Sequence, residues 1–416
     1  MRILFVCHRF PFPPNRGGKI RPFNIIKHLH ARHEVFVASL ARSDQEQAEG
    51  EGLAPYCTEY HMVPARKSFQ VARMVGRLLT PQPSSVGYFY SRRLAYAIKQ
   101  YVQTRQIDLI FVHCSSVAPY VADICGPVKV LDFGDMDSQK WLDYGKVRTF
   151  PLNRGYRLEG EKLKRLEMRL ARQFDCCTTT TRAELDTLRS YNVPVETDWF
   201  ANGVDHCYFQ PEPNYQADTI CFVGRMDYYP NQNCMIQFCH NVLPELQRRI
   251  PQMKLLIVGA DPSRRIRELG HFPGVTVTGS VPDVRPYVHR SLAMVAPLSI
   301  ARGTQNKILE SMSMGVPVVC SRLAARGVDA VEGVHLLTAD QPAEYIAAIL
   351  SLIKDPAKRS HYAGAGRARI VSHHDWAASM TRVDAIIERA METASANREG
   401  ATRSRREVRN APSGTR

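Results

Sequence analysis

RGTQNKILESMSMGVPVVC, residues 302–320, is the stretch on which the reading of this 416-residue chain turns. An apolar strand, LAMVAPL at 292–298, runs ahead of it. Ile308, Leu309 and Met312 then recur on one face of a helix predicted over residues 305–314. Gly315 is placed to cap that helix, and Pro317 prevents its continuation. Residues 316–320 read as the next buried strand, which completes a strand–loop–helix–strand unit of an open parallel sheet. In such sheets ligands sit at the loop leaving a strand's carboxyl end, where free N–H groups of the next helix suit a diphosphate. Asn306 and Glu310 are four residues apart and share a helix face. A carboxylate there can accept two hydrogen bonds from a vicinal diol such as a ribose. Arg302 and Lys307, beside Gly303 at the loop end, can meet phosphates. The plainer alternative is a Glu310–Lys307 surface pair worth a few tenths of a kcal/mol.

A chain of this length holds two or three domains with ample core. Hydrophobic content of 44% with 23% charged residues is that of a globular protein, and no run approaches the length of a membrane span. The net charge of +15 favours an anionic partner: phosphate-bearing substrate, acidic lipid or nucleic acid. Eleven scattered cysteines without a C-x-x-C pair fit free thiols in a reducing cytoplasm. MRILFVC, followed at once by His8, Arg9 and prolines, reads as a first strand and not as a signal peptide.

In chain order, a strand at residues 2–7 leads through HRFPFPPNRGGKIRPFN to a helix expected from about Pro22, then to a strand at 34–40. Gly17 and Gly18, flanked by Arg16, Lys19 and Arg21, allow backbone to approach an anionic group closely. Residues 66–101 are basic and aromatic, and Val71, Met74, Val75 and Leu78 fall at helical spacing. That stripe is expected to pack into a core, with contact to anionic lipid as the alternative. A strand at 107–113 ends in His113, either a structural histidine or a cleft residue. After the strand 128–133, Asp135 and Asp137 spell D-x-D, which can hold a divalent metal or simply cap a helix. A charged helix over 157–174, a strand at 176–180 and a helix to Tyr191 close the first half. The phrase NGVDHCYFQP, 202–211, places a glycine turn where a hinge belongs. A second series follows: a strand at 219–223, FVGRMDYYPN with Gly224 and Arg225, a helix over about 231–249, then strands at 254–258 and 275–278. An amphipathic helix over 375–391 comes last, before an arginine-rich tail expected to be disordered.

The central stretch resembles the donor-site signature of family 4 glycosyltransferases, E-x7-E followed by a small-residue helix and G-x-P-V-V. Glu310 matches the second glutamate, which in that family holds the nucleotide ribose. Arg302 stands where the first glutamate would contact the transferred sugar, so that contact is not carried over. The form R-G-T-Q-N-K-I-L-E-S-M, like D-x-D-S-x-K-W around Asp135 and Asp137, resembles a narrower group, the sugar transferases of bacterial exopolysaccharide and exosortase (PEP-CTERM) loci. N-G-V-D-x-x-x-F-x-P resembles the family's interdomain link. The resemblance further implies a Gly-Gly loop facing the acceptor at Gly17–Gly18, a histidine near the donor sugar at His113, and a phosphate-binding arginine at Arg225. It also implies backbone contact with the nucleobase around Val281. The family's usual lysine, six residues after the arginine, is Asn231 here, so Lys307 is expected to supply the missing charge.

The expected fold is α/β, of the GT-B kind: two doubly wound Rossmann-like domains facing across a cleft, with the last helix crossing back to the first. The domains are expected at 1–195 and 216–375, with a link at 196–215, a crossover helix at 376–395 and a tail from 396. The expected function is transfer of a sugar, with retention, from a nucleotide sugar to a lipid-linked or oligosaccharide acceptor. Catalysis is assigned to Arg225, Lys307 and His113. Donor binding falls to Gly224, Val281, Arg302, Gly303, Asn306 and Glu310. The acceptor side is given to Gly17, Gly18, Lys19, Arg21, Asp135 and Asp137. No metal or cofactor is expected, because the D-x-D metal site belongs to enzymes of a different, single-domain fold. Peripheral contact with an anionic membrane is expected and nucleic acid is not. A nucleotide-sugar epimerase or phosphorylase on the same scaffold, and a basic nucleic-acid binder, are the alternatives.

Overall fold

The computed structural model describes residues 1–65 and 67–410, with side chains as far as 396. It divides into two units, Met1–Phe200 together with Met380 onward, and Ala201–Ser379. In the first unit, strands β1 (Arg2–Cys7), β2 (Glu34–Ala41), β3 (Glu59–Pro64), β4 (Leu109–His113), β5 (Val128–Gly134), β6 (Cys176–Thr179) and β7 (Glu196–Trp199) form one sheet. Every pairing is parallel and the order is β3-β2-β1-β4-β5-β6-β7. The second unit repeats the plan. Strands β8 (Gln216–Val223), β9 (Lys254–Val258), β10 (Val275–Gly279), β11 (Ser291–Ala296), β12 (Val318–Cys320) and β13 (Leu337–Thr338) run in the order β10-β9-β8-β11-β12-β13. Both orders reverse direction after the first strand, between β1 and β4 and between β8 and β11. Doubly wound sheets open a crevice for ligands at that point, beyond the carboxyl ends of the strands. With these GT-B-type sheets, the two-domain Rossmann-like architecture is in place.

The strands read as apolar runs because parallel sheets are covered on both faces. β1, β4 and β11 are buried from end to end or nearly so. Edge strands were harder to see in the sequence. β3 has exposed and half-buried residues and one buried side chain, Val63, while β7 and β13 have four and two residues. The 196–215 segment is not a free link: β7 closes the first sheet, and the unit boundary falls after Phe200. The first helix spans Gly17–His30 and so starts five residues before the expected Pro22, which lies inside it. Proline at that place leaves the Gly18 carbonyl without its usual intrahelical donor.

The last helix spans Trp376–Asn410, so helical backbone continues where a disordered tail was expected from residue 396; residues 411–416 lie outside the described residues. Its start belongs to the second unit and its continuation to the first. Arg389 pairs with Glu196 and Asp198 of β7 at 2.8 and 2.7 Å, Arg382 also pairs with Asp198, and Asp384 takes His28 and Arg32. All eleven cysteines are free thiols.

Among the described residues, no cation contacts the buried Glu167 carboxyl of the first unit. Glu167, on the helix Leu152–Ala171, accepts from the Ser138 backbone N–H at 2.9 Å and from Tyr191 Oη at 3.2 Å, and also faces Ser138 Oγ. Burial pushes its pKa up to about 8, against the pull of those hydrogen bonds. Unfolded, a glutamate titrates near about 4.3. The native state therefore favours the protonated form, and its advantage shrinks as pH rises from about 5 toward 8. Glu167→Gln, which keeps an acceptor and adds a donor, should flatten that slope. In urea unfolding followed across this pH range, the wild type should lose on the order of 3 kcal/mol more than the variant.

Candidate active site

The second unit gathers its polar chemistry at the carboxyl ends of β8 and β11. The helix Asn306–Ser313 begins two residues shorter in all than expected and ends as its sequence demands. Gly315 adopts φ +65°, its N–H donates to the Met312 carbonyl, and Val316 N–H reaches the Ser311 carbonyl at 3.0 Å. These paired bonds close the helix in a Schellman turn. At the other end no side chain caps the helix, which leaves its first N–H groups for other partners.

Lys307, in the first turn, sits 4.2 Å over the Phe222 ring and donates to Asn231 Oδ1 at 2.8 Å. Asn231 in turn donates from Nδ2 to the Arg225 carbonyl at 2.8 Å. Asn231 thus bridges Lys307 to the loop that carries Arg225. Gly224 makes room for the pair, since a Cβ there would lie 2.7 Å from Asn231 Nδ2 and 3.0 Å from Lys307 Nζ. Burial pulls the Lys307 pKa down to about 8 and pushes Glu310 up to about 7, the opposite charges offsetting part of each shift. Among the described residues the Glu310 carboxylate accepts no hydrogen bond. Asn306 lies on the same face, and its Oδ1 meets Asn202 Nδ2 at 3.4 Å, which ties the N-G-V-D loop to this helix. Gly203 in that loop is packed against Trp376, whose ring would be 2.5 Å from an added Cβ.

The flanking residues are placed less simply. Arg225 engages Asp227 through Nε at 3.1 Å and Nη2 at 2.8 Å, and also Asp261, so two carboxylates hold the guanidinium and raise its pKa. Arg302 is half-buried, and its carbonyl accepts from Gln305 Nε2 at 3.1 Å. Gly303 has φ +59°, and its carbonyl lies where a Cβ on Gly327 would be, 2.2 Å away. Val281 follows β10, two strands from β8, and packs on the core of this unit.

In the first unit, Gly17 and Gly18 open the helix Gly17–His30. Two cations given to the acceptor side do not reach outward. Lys19 is 1% exposed, bonded to Glu46 Oε1 at 2.9 Å and to the Phe12 carbonyl at 3.2 Å. Arg21 is 2% exposed and grips Asp132 through Nε and Nη2 at 2.8 and 2.9 Å. Each finds a buried carboxylate, and a buried cation without one is prohibitively costly. Their role is to fix the Gly-Gly helix and not to present free charge. His113 also turns to Asp132, with Nδ1 at 2.8 Å from Oδ2. Asp135 accepts from Thr180 Oγ1 at 3.1 Å; Asp137 starts the helix Asp137–Val147 and faces Cys114 Sγ at 3.7 Å. Burial holds Asp137 above the usual carboxylate range. Among the described residues no group of three His, Cys, Asp or Glu side chains is arranged to hold a metal ion.

Residues 217–355 match the family model "Glycosyl transferases group 1". Over 409 residues the chain is 22% identical to a GDP-mannose-dependent alpha-(1-6)-phosphatidylinositol monomannoside mannosyltransferase of Mycolicibacterium smegmatis, covering 90% of this chain and 96% of that protein. A phosphatidyl-myo-inositol mannosyltransferase of Mycobacterium leprae is 27% identical over 176 residues, 41% of this chain and 46% of that one. The fold of Anabaena HepE, crystallised with UDP, matches with a TM-score of 0.67 at 16% identity, over 93% of this chain and all of that one. Sucrose-phosphate synthase of Thermosynechococcus elongatus matches with a TM-score of 0.71 at 16% identity, over 94% and 100% of the two chains. The protein is a glycosyltransferase.

The matched span 217–355 contains every residue assigned to the transferase's donor side, from Gly224 to Glu310. Asp132 was missed, although an aspartate inside the otherwise apolar run VKVLDF is itself a signal, because a charge in a doubly covered strand needs a partner. The helix stripe at Lys67–Gly76 and just beyond it also differs from expectation. Phe69, Val75, Leu78 and Leu79 are 50–100% exposed, so the stripe does not pack into a core. Arg66 lies outside the described residues.

Gly259 is where the backbone at the carboxyl ends of β8 and β9 is least tolerant of a side chain. A Cβ there would lie 1.9 Å from the Gly224 carbonyl oxygen, and no flexible side chain is available to yield. Gly259→Ala should destabilise the protein by about 2 kcal/mol or more, read as a lowered midpoint in thermal unfolding. A midpoint equal to that of the wild type would show that the β8 and β9 loops are not held this closely.

Proposed function

We propose that this glycosyltransferase moves a sugar, with retention, from a nucleotide sugar to a lipid-linked saccharide acceptor of the kind used in exopolysaccharide assembly. One observation carries the donor side: among the described residues Glu310 is a half-buried carboxylate without a hydrogen-bond donor, one helical turn from a half-buried lysine and an uncapped helix start. A ribose diol supplies the donors that Glu310 lacks. A diphosphate supplies the negative charge that Lys307 and the helix N–H groups attract. The HepE structures bound to UDP and to UDP-glucose support a nucleotide donor, and the mannosyltransferase relatives, named for phosphatidylinositol acceptors, support a lipid one.

In the proposed reaction the bond from the sugar C1 to the diphosphate oxygen breaks and a bond from C1 to the acceptor oxygen forms on the same face. The acceptor proton passes to the departing diphosphate. No side chain of the donor site is asked to act as a base. Lys307, the helix N–H groups, and Arg225 once a phosphate exchanges with its carboxylates, stabilise the charge that develops on the leaving group. Turnover is expected to survive EDTA; loss of activity restored by magnesium or manganese would assign Asp135 and Asp137 the metal role instead.

Glu310→Gln should weaken binding of the cognate nucleoside diphosphate by about tenfold to a hundredfold, since charged hydrogen bonds contribute roughly 1.5–3 kcal/mol. The pH dependence has a definite sign. Glu310 offers both oxygens and a full charge to the diol only when ionised, so affinity should fall as pH drops through about 7. Lys307 attracts the diphosphate only when protonated, so affinity should also fall as pH rises through about 8. Calorimetry with UDP and with GDP from pH 6 to 9 tests both limbs, and the acid limb alone should vanish in Glu310→Gln.

The exposed stripe Phe69, Val75, Leu78 and Leu79, beside Lys67, Arg73 and Arg77, favours peripheral contact with an anionic membrane. No helix among the described residues is long and apolar enough to cross one. Each basic residue near such a surface contributes about 1 kcal/mol, screened beyond roughly 8 Å at physiological salt. The full-length protein should sediment with phosphatidylserine vesicles at low salt. Replacing Lys67 and Arg73 by Gln and Leu79 by Ser should reduce that fraction at least severalfold; an unchanged fraction would leave the patch as ordinary surface.

A further inference from the structure

Register in the first sheet sets His113 of β4 directly beside Asp132 of β5, so both side chains stand on one face. The carboxylate is fully buried and both of its oxygens are occupied. Oδ2 accepts from His113 Nδ1 and from Arg21 Nε, each at 2.8 Å; Oδ1 accepts from Arg21 Nη2 at 2.9 Å and from Thr178 Oγ1 at 3.0 Å. Burial acts to raise the Asp132 pKa, but Arg21 and the hydrogen bonds from His113 and Arg21 hold it well below the usual carboxylate range. An ionised carboxylate can only accept. The proton on the His113 ring must therefore sit on Nδ1, and in the neutral ring Nε2 carries the lone pair.

The ring has little freedom to turn. His8 lies 5.9 Å from it, centroid to centroid, and a Cβ on Gly134 would come within 3.3 Å of His113 Cε1. Arg21 is fixed in its turn. It donates from Nη1 to the Phe200 carbonyl at 2.9 Å and lies 3.5 Å over the Phe200 ring. Nε2 of His113 makes no hydrogen bond among the described residues, and 8% of the side chain reaches solvent.

We propose that Asp132, clamped by Arg21, is a positioning residue that locks His113 in the Nδ1-protonated tautomer and presents Nε2 to substrate as a hydrogen-bond acceptor. An acceptor nitrogen selects a group with a proton to give. It takes a sugar hydroxyl and rejects phosphate and carbonyl oxygens, which have none. The assignment of substrate rests on the transfer function proposed above; the tautomer does not.

The test is long-range proton–nitrogen NMR of the full-length, nitrogen-15-labelled protein at about pH 8, with the His113 signals identified by their loss in His113→Gln. Nδ1 is expected in the protonated range and Nε2 in the lone-pair range, and Asp132→Asn should mix or reverse them. A wild-type ring protonated on Nε2, or an Asp132→Asn ring unchanged from wild type, overturns the proposal. If Asp132→Asn leaves Arg21 buried without its partner and does not fold, the double variant Arg21→Gln, Asp132→Asn removes both charges and carries the same expectation.

A kinetic arm separates positioning from simple loss of structure. With the nucleotide sugar that supports transfer, Asp132→Asn should lower kcat by about tenfold to a hundredfold, the cost of a misaligned group. Binding of UDP or GDP, whichever is cognate, should stay within about twofold. Equal loss of both overturns the positioning role. A locked tautomer in a protein that transfers from no nucleotide sugar upholds Asp132 and sinks the transfer function, so the two failures are told apart.

Discussion

Parallel strand pairing is the constraint from which the rest of this protein follows. A parallel sheet must be covered on both faces, so its strands are apolar along their length and polar chemistry is pushed to the loops at their carboxyl ends. Both sheets reverse order after their first strand, and both gather polar groups at that reversal. His8 and His113 follow or end β1 and β4; Gly224, Arg225 and the loop ahead of Asn306 follow β8 and β11.

Against that background, the few charges inside the fold stand out. Asp132 sits within a buried strand and is matched by Arg21, and Glu46, on the short helix Asp44–Ala48, is matched by Lys19 of the first helix. Among the described residues no carboxylate contacts Lys307. It has an amide oxygen, an aromatic face and Glu310 one turn away, with both groups shifted toward neutrality by burial. The two units thus use buried charge differently. In the first, ion pairs are closed and fix geometry; in the second, a lysine and a glutamate are held without strong partners where a ligand can complete them.

The sequence showed much of this through residues that only one backbone can use. Gly315 and Pro317 marked the end of the central helix, Asn306 and Glu310 shared a face as spacing required, and N-G-V-D met that same helix. Charge direction was not legible. Lys19 and Arg21 lie in a basic loop that looks solvent-facing, and only the strand order reveals that Asp132 and Glu46 wait beneath them. Short edge strands such as β7 and β13 were hidden because two to four residues carry no periodicity. The stripe at Phe69–Leu78 had helical spacing, but spacing alone does not say whether an apolar face meets protein or something else.

The last helix gives the molecule an order of completion. Residues 201–379 form an uninterrupted unit, whereas the first unit is written in two pieces, with Met380 onward supplying the second. The salt bridges from Arg382, Arg389 and Asp384 to Asp198, Glu196, His28 and Arg32 belong to that second piece. During synthesis, domains fold largely as they emerge, N-terminal first. Here the half translated first must wait, its Asp198 and Glu196 unpaired, until nearly the whole chain has left the ribosome. A message cut close to Met380 can yield a finished second unit but leaves the first without its second piece, so the half that holds His113 and Asp132 is assembled only once the last helix is made.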